Sequence, residues 1–252
     1  MSGTISKHLD GDTFAVALTS GIHRVLAEQE YLNSINVFPV ADSDTGKNLC
    51  LSLTPALGVL NAPGEKHMGT LLAALADVLL DSARGNSGAI IAQFFQGMSD
   101  SASDITRFTT YTFGKAIRLG SEYAHDALSK PREGTILSVI AAFAESITHE
   151  VGTASEADFP HVLEAALQRV DEALANTPNQ LDVLRKAGVV DSGAKGFAEI
   201  VAGMTEYLQD GTIVPMPAIS IAHEIEPAVD FSEADNDSRY RFCTECIVTN
   251  PD

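Results

Sequence analysis

Residues 36–48 read NVFPVADSDTGKN, and the fold and function of the chain can be interpreted outward from this stretch. An apolar run leads into it, Asp42 and Asp44 follow one residue apart, and a helical pattern of leucines begins directly afterwards. The N–H groups in the first turn of a helix attract anions. Carboxylates at that place would repel a bare phosphate, but they would hold Mg²⁺, which reverses the local charge. The stretch therefore predicts a nucleotide that is bound through magnesium.

Three later stretches also place small and polar residues at the start of an apolar periodic run. They are Ala83-Arg84-Gly85-Asn86-Ser87-Gly88, Gly134-Thr135 and Val190-Asp191-Ser192-Gly193-Ala194-Lys195-Gly196. An Asp-x-Asp pair alone often only caps a helix or faces solvent. Four helix starts of similar composition instead indicate that these four starts lie together around one site.

The periodicity of apolar residues predicts an all-α fold. Eight helical patterns with short connections are typical of an antiparallel eight-helix bundle, and no stretch before Thr212 is predicted to be a strand. The second helix is predicted from about Thr45 to Leu60. The special residues begin helices two, four, six and eight. Because alternate helices of an up-and-down bundle start at the same end, the four stretches should converge there.

Asp10-Gly11-Asp12-Thr13 repeats part of the central stretch near the N-terminus. An amphipathic helical pattern follows it directly. We therefore predict that Asp12 or Asp10 caps the first helix and does not bind metal.

Composition excludes several classes of partner. The chain has 34 acidic and 16 basic residues and a formal charge of -18, which argues against a nucleic-acid partner because such binding depends on clustered Lys and Arg. No apolar run reaches the roughly 18 residues that a membrane span needs. Three cysteines cannot form a disulfide framework, and the polar N-terminus lacks a signal-peptide core. We expect a cytoplasmic protein.

In this order, the four stretches resemble the nucleotide-binding domain of the dihydroxyacetone kinase superfamily, over roughly residues 8–210. The resemblance is closest to the ATP-binding protein of bacterial fatty acid kinase, in which the first motif usually reads NVFPVPDGDTGTN. This chain departs from it at Ala41, Ser43 and Lys47. If the glycine position that Ser43 occupies requires a positive φ, a serine is strained there.

The resemblance implies a closed up-and-down barrel with the nucleotide at one end, and it implies roles for individual residues. Asp42 and Asp44 would bind Mg²⁺, with Asn36 as a third contact. Phosphate contacts would come from two helix starts, Thr45, Gly46 and Asn48 on one and Gly85, Asn86, Ser87 and Gly88 on the other. The nucleotide would be enclosed by Thr135, Asp191, Ser192 and Gly193. Asp191 could equally be an ordinary helix cap.

Arg84 and Lys195 are the cations that we expect to meet transition-state charge, although either could pair with a carboxylate of the motif. Asp42 and Asp44, with Arg84, are accordingly the predicted catalytic residues.

The implied function is that of an ATP-dependent kinase domain with ATP/ADP and Mg²⁺ as its cofactors. It would transfer the γ-phosphoryl group to a substrate presented by a partner protein or domain. The expected acceptor is a fatty acid carboxylate, which is already ionised at neutral pH and needs no catalytic base. The alternatives are phosphorylation of dihydroxyacetone (glycerone), which needs a base, and a nucleotide-binding module without transfer activity. The partner would accordingly bind a fatty acid or dihydroxyacetone, and a homodimer is a further possibility.

The sequence predicts three segments. Residues 1–218 form the ATP/Mg-binding kinase domain, and residues 219–238 form an acidic linker without Lys or Arg between His223 and Ser238. Residues 239–252 contain a strand-like run from Tyr240 to Val248, which cannot be stable alone. Its Arg-Phe-Cys-Thr-Glu resembles the opening of the next domain of the fatty acid kinase protein, so we expect a shortened chain.

Overall fold

Helices dominate the residues that the computed structural model describes, which are residues 7–64, 66–153 and 158–217. In chain order the helices are α1 (Gly11–Ala27), α2 (Gln29–Ser34), α3 (Thr45–Leu53), α4 (Ala56–Leu60), α5 (Met68–Ser82), α6 (Gly85–Ser101), α7 (Thr110–Asp126), α8 (Ile136–Thr153), α9 (Phe159–Gln180), α10 (Asp182–Ala187) and α11 (Ser192–Asp210). Within these ranges, eight helices have nine or more residues, and α2, α4 and α10 are short connecting helices. The predicted all-α, eight-helix architecture is confirmed.

Neighbouring helices close into a bundle. Helix α1 packs against α11, α11 against α8 and α9, and the series continues through α7 and α6 to α5. Helices α3 and α4 contact both α5 and α1 and complete the circuit. Each long helix presents leucine, isoleucine, valine or phenylalanine at the helical period, so that one face is buried against its neighbours.

Edge-to-face phenylalanine contacts fill part of the interior. The ring of Phe108 lies 6.5 Å from that of Phe14 and 5.6 Å from that of Phe113, which in turn lies 5.5 Å from Phe159. All four rings are almost fully buried. Aromatic pairs in this geometry stabilise a core beyond the area that they bury.

A two-stranded antiparallel sheet precedes α1 and α7. It pairs β1 (His8–Asp10) with β2 (Arg107–Thr109), and the fully buried Leu9 stands opposite Phe108. The prediction that no strand occurs before Thr212 is therefore wrong. Strands of three residues are too short to show a period of two in the sequence.

The second predicted helix is also interrupted. Helix α3 ends at Leu53 and α4 begins at Ala56, with Pro55 at the boundary. Proline has no N–H to donate to the carbonyl four residues earlier, so a continuous helix loses a hydrogen bond at this position. The prediction of one helix from Thr45 to Leu60 missed this break.

Asp10 caps α1, as one of the two predicted residues. Its carboxylate accepts a hydrogen bond of 2.8 Å from the N–H of Thr13. Gly211 has a φ of 80° and ends α11. None of the described helices is both long and apolar enough to cross a membrane. The predicted acidic linker (219–238) and the strand-like run from Tyr240 to Val248 lie outside the described residues.

Helix direction determines where the four special stretches meet. Because consecutive long helices run antiparallel, α3, α6, α8 and α11 begin at one end of the bundle, whereas α1, α5, α7 and α9 begin at the other. All four stretches selected from the sequence lie at the first end.

Candidate functional site

A cavity of about 200 Å³ lies between the starts of α3 and α6. Its lining residues come from the loop before α3, from the first turn of α3 and from the first residues of α6. They are Asn36, Phe38, Pro39, Val40, Asp42, Asp44, Thr45, Asn48, Gly85, Asn86 and Ser87. The structure thus brings two of the four predicted stretches together around one space.

The carboxylates of Asp42 and Asp44 are available for a cation. Asp44 stands at the N-cap position of α3, but its side chain makes no capping hydrogen bond. Asp42 is exposed and accepts one hydrogen bond, from the amide of Asn36. Within the described part of the chain, neither carboxylate forms an ion pair with Lys or Arg. Oxygen donors of this kind, one residue apart beside a helix start, fit Mg²⁺, which proteins often hold through one or two carboxylates.

Asn36 holds the loop in shape from a buried position. Its Nδ2 donates to the carbonyl of Val40 at 2.8 Å and to Oδ1 of Asp42 at 2.9 Å. Its Oδ1 accepts a hydrogen bond from the hydroxyl of Thr45. Side-chain contacts of these kinds fix the direction of the Asp42 carboxylate. A metal contact through Asn36 stays a prediction.

The starts of α3 and α6 are in direct contact. Gly85 has a φ of 62°, and a Cβ atom there would lie 2.9 Å from Nδ2 of Asn48, so glycine is needed both for its backbone conformation and for space. The hydroxyl of Ser52 accepts from the N–H of Arg84 at 2.9 Å and donates to the carbonyl of Asn48 at 2.8 Å. These contacts join the starts of α3 and α6, whose first residues line the same cavity as Asp42 and Asp44.

A second cavity of about 200 Å³ adjoins the first and shares four lining residues with it. The shared residues are Phe38, Pro39, Asn86 and Ser87. The other lining residues come from α6, from the loop before α8 and from the starts of α8 and α11, and they are Ile90, Leu128, Lys130, Arg132, Thr135, Ile136 and Asp191. The two cavities form one cleft, which we call the rim cleft, and all four predicted helix starts contribute to it.

Asp191 links two of these helix starts. Its Oδ2 accepts hydrogen bonds from the N–H of Ala194 in α11, at 2.8 Å, and from the N–H of Ile136 in α8, at 3.1 Å. Burial raises the pKa of the Asp191 carboxyl to about 6, although these two hydrogen bonds favour the ionised form. Asp191 is therefore both a helix cap and a lining residue of the rim cleft.

Several predicted residues lie next to the rim cleft without lining it. Gly46 packs against the carbonyl of Gln29, and Gly88 packs against Ser52. The buried hydroxyl of Ser192 donates to the carbonyl of Leu32 at 2.6 Å. Gly46 and Gly88 allow neighbouring segments to approach closely, and the hydrogen bond of Ser192 connects α11 to α2.

Gly193 and the two predicted cations also lie outside the lining. A Cβ atom on Gly193 would lie 2.5 Å from the hydroxyl of Ser87. Arg84 is exposed, and its guanidinium donates to the carbonyl of Ala83 at 2.9 Å. Lys195 pairs with Glu199, which Arg24 also contacts at 2.6 Å. Burial would raise the pKa of Glu199, but both cations outweigh it and hold the pKa below its usual value.

Sequence reasoning missed the cations and the apolar wall of the rim cleft. Lys130 and Arg132 are exposed in the loop between α7 and α8, and Leu128 and Ile90 line the same cavity. The two cations stand shortly before Gly134-Thr135 in the sequence, but the sequence of a loop does not predict which space its side chains line. The apolar wall carried no signal, because its residues look like any other core positions.

Comparison with known proteins identifies relatives. A family model described as the DAK2 domain matches residues 39–206, about two-thirds of the 252-residue chain. An uncharacterised protein of Staphylococcus saprophyticus is 33% identical over 247 residues, which cover 97% of this chain and 44% of that protein. Protein YloV of Bacillus subtilis is 32% identical over 248 residues, which cover 96% of this chain and 44% of YloV. The chain thus spans less than half the length of these relatives.

A solved structure shows the same fold. Dihydroxyacetone kinase from C. freundii, in complex with AMP-PNP and Mg²⁺, superimposes with a TM-score of 0.60 at 15% sequence identity. The match covers 82% of this chain and 36% of that kinase. Taken with the family model over residues 39–206, these matches confirm the superfamily that the sequence motifs resembled, and the chain belongs to the DAK2 domain family.

Proposed function

We propose that this chain is the nucleotide-binding domain of a kinase, which binds ATP and ADP through Mg²⁺ in the rim cleft. The observation that carries the proposal is the convergence of Asp42 and Asp44 with the starts of α3 and α6 on one cavity. Carboxylates for a metal stand there beside N–H groups for phosphate oxygens.

The phosphate end of the rim cleft has a defined set of groups. Asp42 and Asp44 would hold Mg²⁺, which would neutralise phosphate charge there. No group of three or more His, Cys, Asp or Glu side chains that could hold a metal occurs among the described residues. Two protein carboxylates completed by phosphate oxygens and water match the way Mg²⁺ is often bound at phosphate sites. Thr45, Asn48 and the N–H groups of residues 85–87, which line the same cavity, would contact phosphate oxygens.

We infer that the acceptor is a fatty acid carboxylate, which would become an acyl phosphate. The residues that line the rim cleft include no histidine. Of its three carboxylates, two are assigned to the metal and Asp191 is bound to two helix starts. A carboxylate acceptor is ionised at neutral pH and needs no base, whereas the hydroxyl of dihydroxyacetone needs one. The acceptor would be presented by a partner protein or by a further domain.

The first experiment tests nucleotide binding. Calorimetric titration with ADP should show binding with Mg²⁺ and much weaker binding with EDTA. Asp42→Ala plus Asp44→Ala should remove the effect of Mg²⁺. The control replaces two exposed carboxylates that do not line the rim cleft, Asp77→Ala plus Asp104→Ala, which changes the net charge equally. If ADP affinity is the same in both double variants, metal-mediated binding is wrong.

The second experiment identifies the acceptor. ATP is supplied with a fatty acid and a fatty-acid-binding protein, or with dihydroxyacetone and its binding subunit. An acyl phosphate is trapped by hydroxylamine as a hydroxamate, and dihydroxyacetone phosphate is measured with a coupled dehydrogenase. Hydroxamate formation that disappears in Asp42→Ala plus Asp44→Ala supports the fatty acid. Transfer only to dihydroxyacetone would show that dihydroxyacetone, and not a fatty acid, is the acceptor. Nucleotide binding without transfer to either would favour a nucleotide-binding module without transfer activity.

A further inference from the structure

A groove of about 570 Å³ lies between the ends of α5 and α7 and the first half of α6. Many of its lining side chains are small or apolar, among them Leu80, Ala83 and Ala127. Further from the rim cleft, α6 and α7 are in backbone contact, because a Cβ atom on Gly97 would lie 2.6 Å from the carbonyl oxygen of Leu119. Towards the rim cleft, alanines leave the space between the two helices open. We call this space the flank groove.

The flank groove adjoins the second cavity of the rim cleft. Ala89 and Ala127 line the groove, and the residues that follow them in the chain, Ile90 and Leu128, line the cavity. Leu80, which also lines the groove, is 39% exposed, so an apolar side chain faces water here. A protein segment in the flank groove would bury this side chain beside the proposed nucleotide site.

Three cations stand where the flank groove meets the rim cleft. Arg84 directly follows Ala83 of the groove, and Lys130 and Arg132 line the adjoining cavity. All three are exposed, and none of them forms an ion pair with a carboxylate in the described part of the chain. The cations that do form ion pairs with carboxylates are Arg24, Lys66, Arg118, Arg169, Arg185 and Lys195. Three unpaired cations at one place stand out in a chain with 34 acidic and 16 basic residues.

Few carboxylates near these cations oppose them. Asp126 is the only carboxylate that lines the flank groove, and its Oδ1 lies 3.3 Å from Nδ1 of His125. Glu133, in the loop before α8, accepts a hydrogen bond from the hydroxyl of Ser138. The surface therefore offers an apolar contact and uncompensated positive charge side by side, which complements a partner that is apolar at one point and acidic around it.

Resting on the proposed function, we propose that the flank groove, with Arg84, Lys130 and Arg132, is the docking surface for the protein or domain that presents the phosphoryl acceptor. The docking segment carries an apolar side chain for the groove and acidic side chains for the three cations. Phosphoryl transfer requires the acceptor to reach the rim cleft, and contact at the flank groove brings it there without covering the nucleotide. The cations also steer an acidic partner towards this surface of a chain with a formal charge of -18.

Leu80→Glu tests the apolar contact. Transfer from ATP to a fatty acid on its fatty-acid-binding protein is followed as hydroxamate, or transfer to dihydroxyacetone on its binding subunit is followed with the coupled dehydrogenase. The KM for the carrier protein is measured at saturating ATP and Mg²⁺. In Leu80→Glu this KM should rise at least about tenfold, because an apolar contact is replaced by a carboxylate that faces acidic side chains. The kcat at saturating carrier and the affinity for ADP should stay as in wild type.

The matched control is Leu51→Glu, which introduces the same charge. Leu51 is 51% exposed in α3 and lines neither the flank groove nor the rim cleft. Because both leucines are exposed, we expect both variants to fold. Leu51→Glu should leave the KM for the carrier unchanged.

Arg84→Gln tests the charge. Raising NaCl from about 50 mM to about 300 mM should raise the KM of wild type for the carrier severalfold, since salt screens exposed charges. This dependence on salt should be weaker in Arg84→Gln. The control is Arg107→Gln in β2, because Arg107 is also exposed and forms no ion pair with a carboxylate among the described residues. That variant should keep the salt dependence of wild type.

The outcomes separate this inference from the proposed function. If Leu80→Glu and Leu51→Glu have equal KM values for the carrier, or if Arg84→Gln keeps the salt dependence of wild type, the inference is overturned while transfer and Mg²⁺-dependent ADP binding stand. A loss of kcat or of ADP affinity in Leu80→Glu without a rise in this KM also overturns it. If wild type transfers phosphate to neither carried acceptor, the presented acceptor of the proposed function fails and the inference fails with it. A rise in KM in Leu80→Glu alone, with a weaker salt dependence in Arg84→Gln alone, supports it.

Discussion

Ser43 has a φ of 56° and is the only non-glycine residue with a positive φ among the described residues. It lies between Asp42 and Asp44, where the motif of the resembled family has glycine. The left-handed region costs a residue with a Cβ roughly 1–2 kcal/mol. The strain that the sequence predicted for a positive φ is therefore present beside the proposed metal carboxylates.

Replacing Ser43 by glycine should stabilise the protein. We expect Ser43→Gly to raise the free energy of unfolding by up to about 1 kcal/mol, since relief of strain exceeds the entropy that glycine adds to the unfolded chain. Urea titration followed by circular dichroism measures the change. Ser43→Ala keeps the Cβ and should give no gain. A less stable glycine variant would show that the serine side chain stabilises the loop.

Asp191 should make stability depend on pH. Its pKa is about 6 in the folded protein against an ordinary value of 3.8, so the folded state binds the proton more tightly than the unfolded state. This contribution to stability is complete below pH 3.8 and is lost as the pH rises through 6.

The comparison with Asp191→Asn isolates this contribution, because asparagine does not titrate. Between pH 4 and pH 7, wild type should lose roughly 2 kcal/mol of unfolding free energy relative to the variant. Urea titrations of both proteins at several pH values measure the difference. A difference that stays constant with pH would mean that the Asp191 carboxyl titrates alike in the folded and unfolded states.

The sequence identified individual site residues unevenly. Asp42, Asp44, Asn86 and Ser87 line the rim cleft, and the sequence singled them out because a carboxylate pair and a small polar run at a helix start have a specific chemistry. Their roles stay predictions. Gly46 and Ser192 belong to the same motifs but serve helix packing, and spacing along the chain cannot separate the two roles.

At the scale of elements, the backbones of α1 and α11 approach each other closely where the two helices cross at Gly21 and Gly203. A Cβ atom on Gly203 would lie 2.6 Å from Cα and 2.7 Å from N of Gly21, and both atoms belong to the backbone. A side-chain rotation therefore cannot make room for a Cβ atom at this position, and one of the helices has to shift as a whole. The crossing also positions α11, whose first residue follows Asp191.

Gly203→Ala should therefore destabilise the bundle by about 1–3 kcal/mol, as overpacking of a core does. The control is Gly58→Ala in α4, because a Cβ atom on Gly58 would meet no atom within 4 Å. That substitution should be neutral or stabilise by up to about 1 kcal/mol, since alanine favours helix. Thermal and urea unfolding measure both. Equal stability of the two variants would mean that the α1–α11 crossing can widen freely.

Long helices were predictable, and short elements were not. Leucine, isoleucine and phenylalanine recur at the helical period in all eight long helices, and this pattern allowed the helices to be predicted. The strands at 8–10 and 107–109 depend on pairing between residues about 100 positions apart, which local pattern cannot reveal. Pro55 was visible in the sequence, but a proline near a helix end breaks or continues the helix according to its surroundings.

At the scale of the whole molecule, alternation of helix direction brings four distant stretches together. The convergence was predictable because an up-and-down bundle puts every second helix start at one end. The cations were not predictable in the same way. Lys130 and Arg132 belong to a loop, whose path over the surface depends on the packing of α7 and α8 and not on its own sequence.

Nucleotide should stabilise the whole bundle, since the rim cleft is built from four helix starts. At an ADP concentration of 100 times its dissociation constant with Mg²⁺, the expected gain is about 2.7 kcal/mol. For a domain of this size that corresponds to a rise in Tm of roughly 5–10 °C. Differential scanning calorimetry measures it. The gain should vanish with EDTA, and an equal rise without Mg²⁺ would contradict metal-mediated binding.

One carboxylate oxygen of Asp191 accepts hydrogen bonds from the amide of Ala194 in α11 and from the amide of Ile136 in α8, which lies 55 residues from Asp191 in the chain. Local opening at this atom exposes both amides at once, so the hydrogens of Ile136 and Ala194 should exchange with deuterium at similar rates. In Asp191→Ala both rates should rise together, whereas Asp158→Ala should accelerate only exchange near the start of α9. Fluctuations at the end of the bundle would then involve α8 and α11 as a pair.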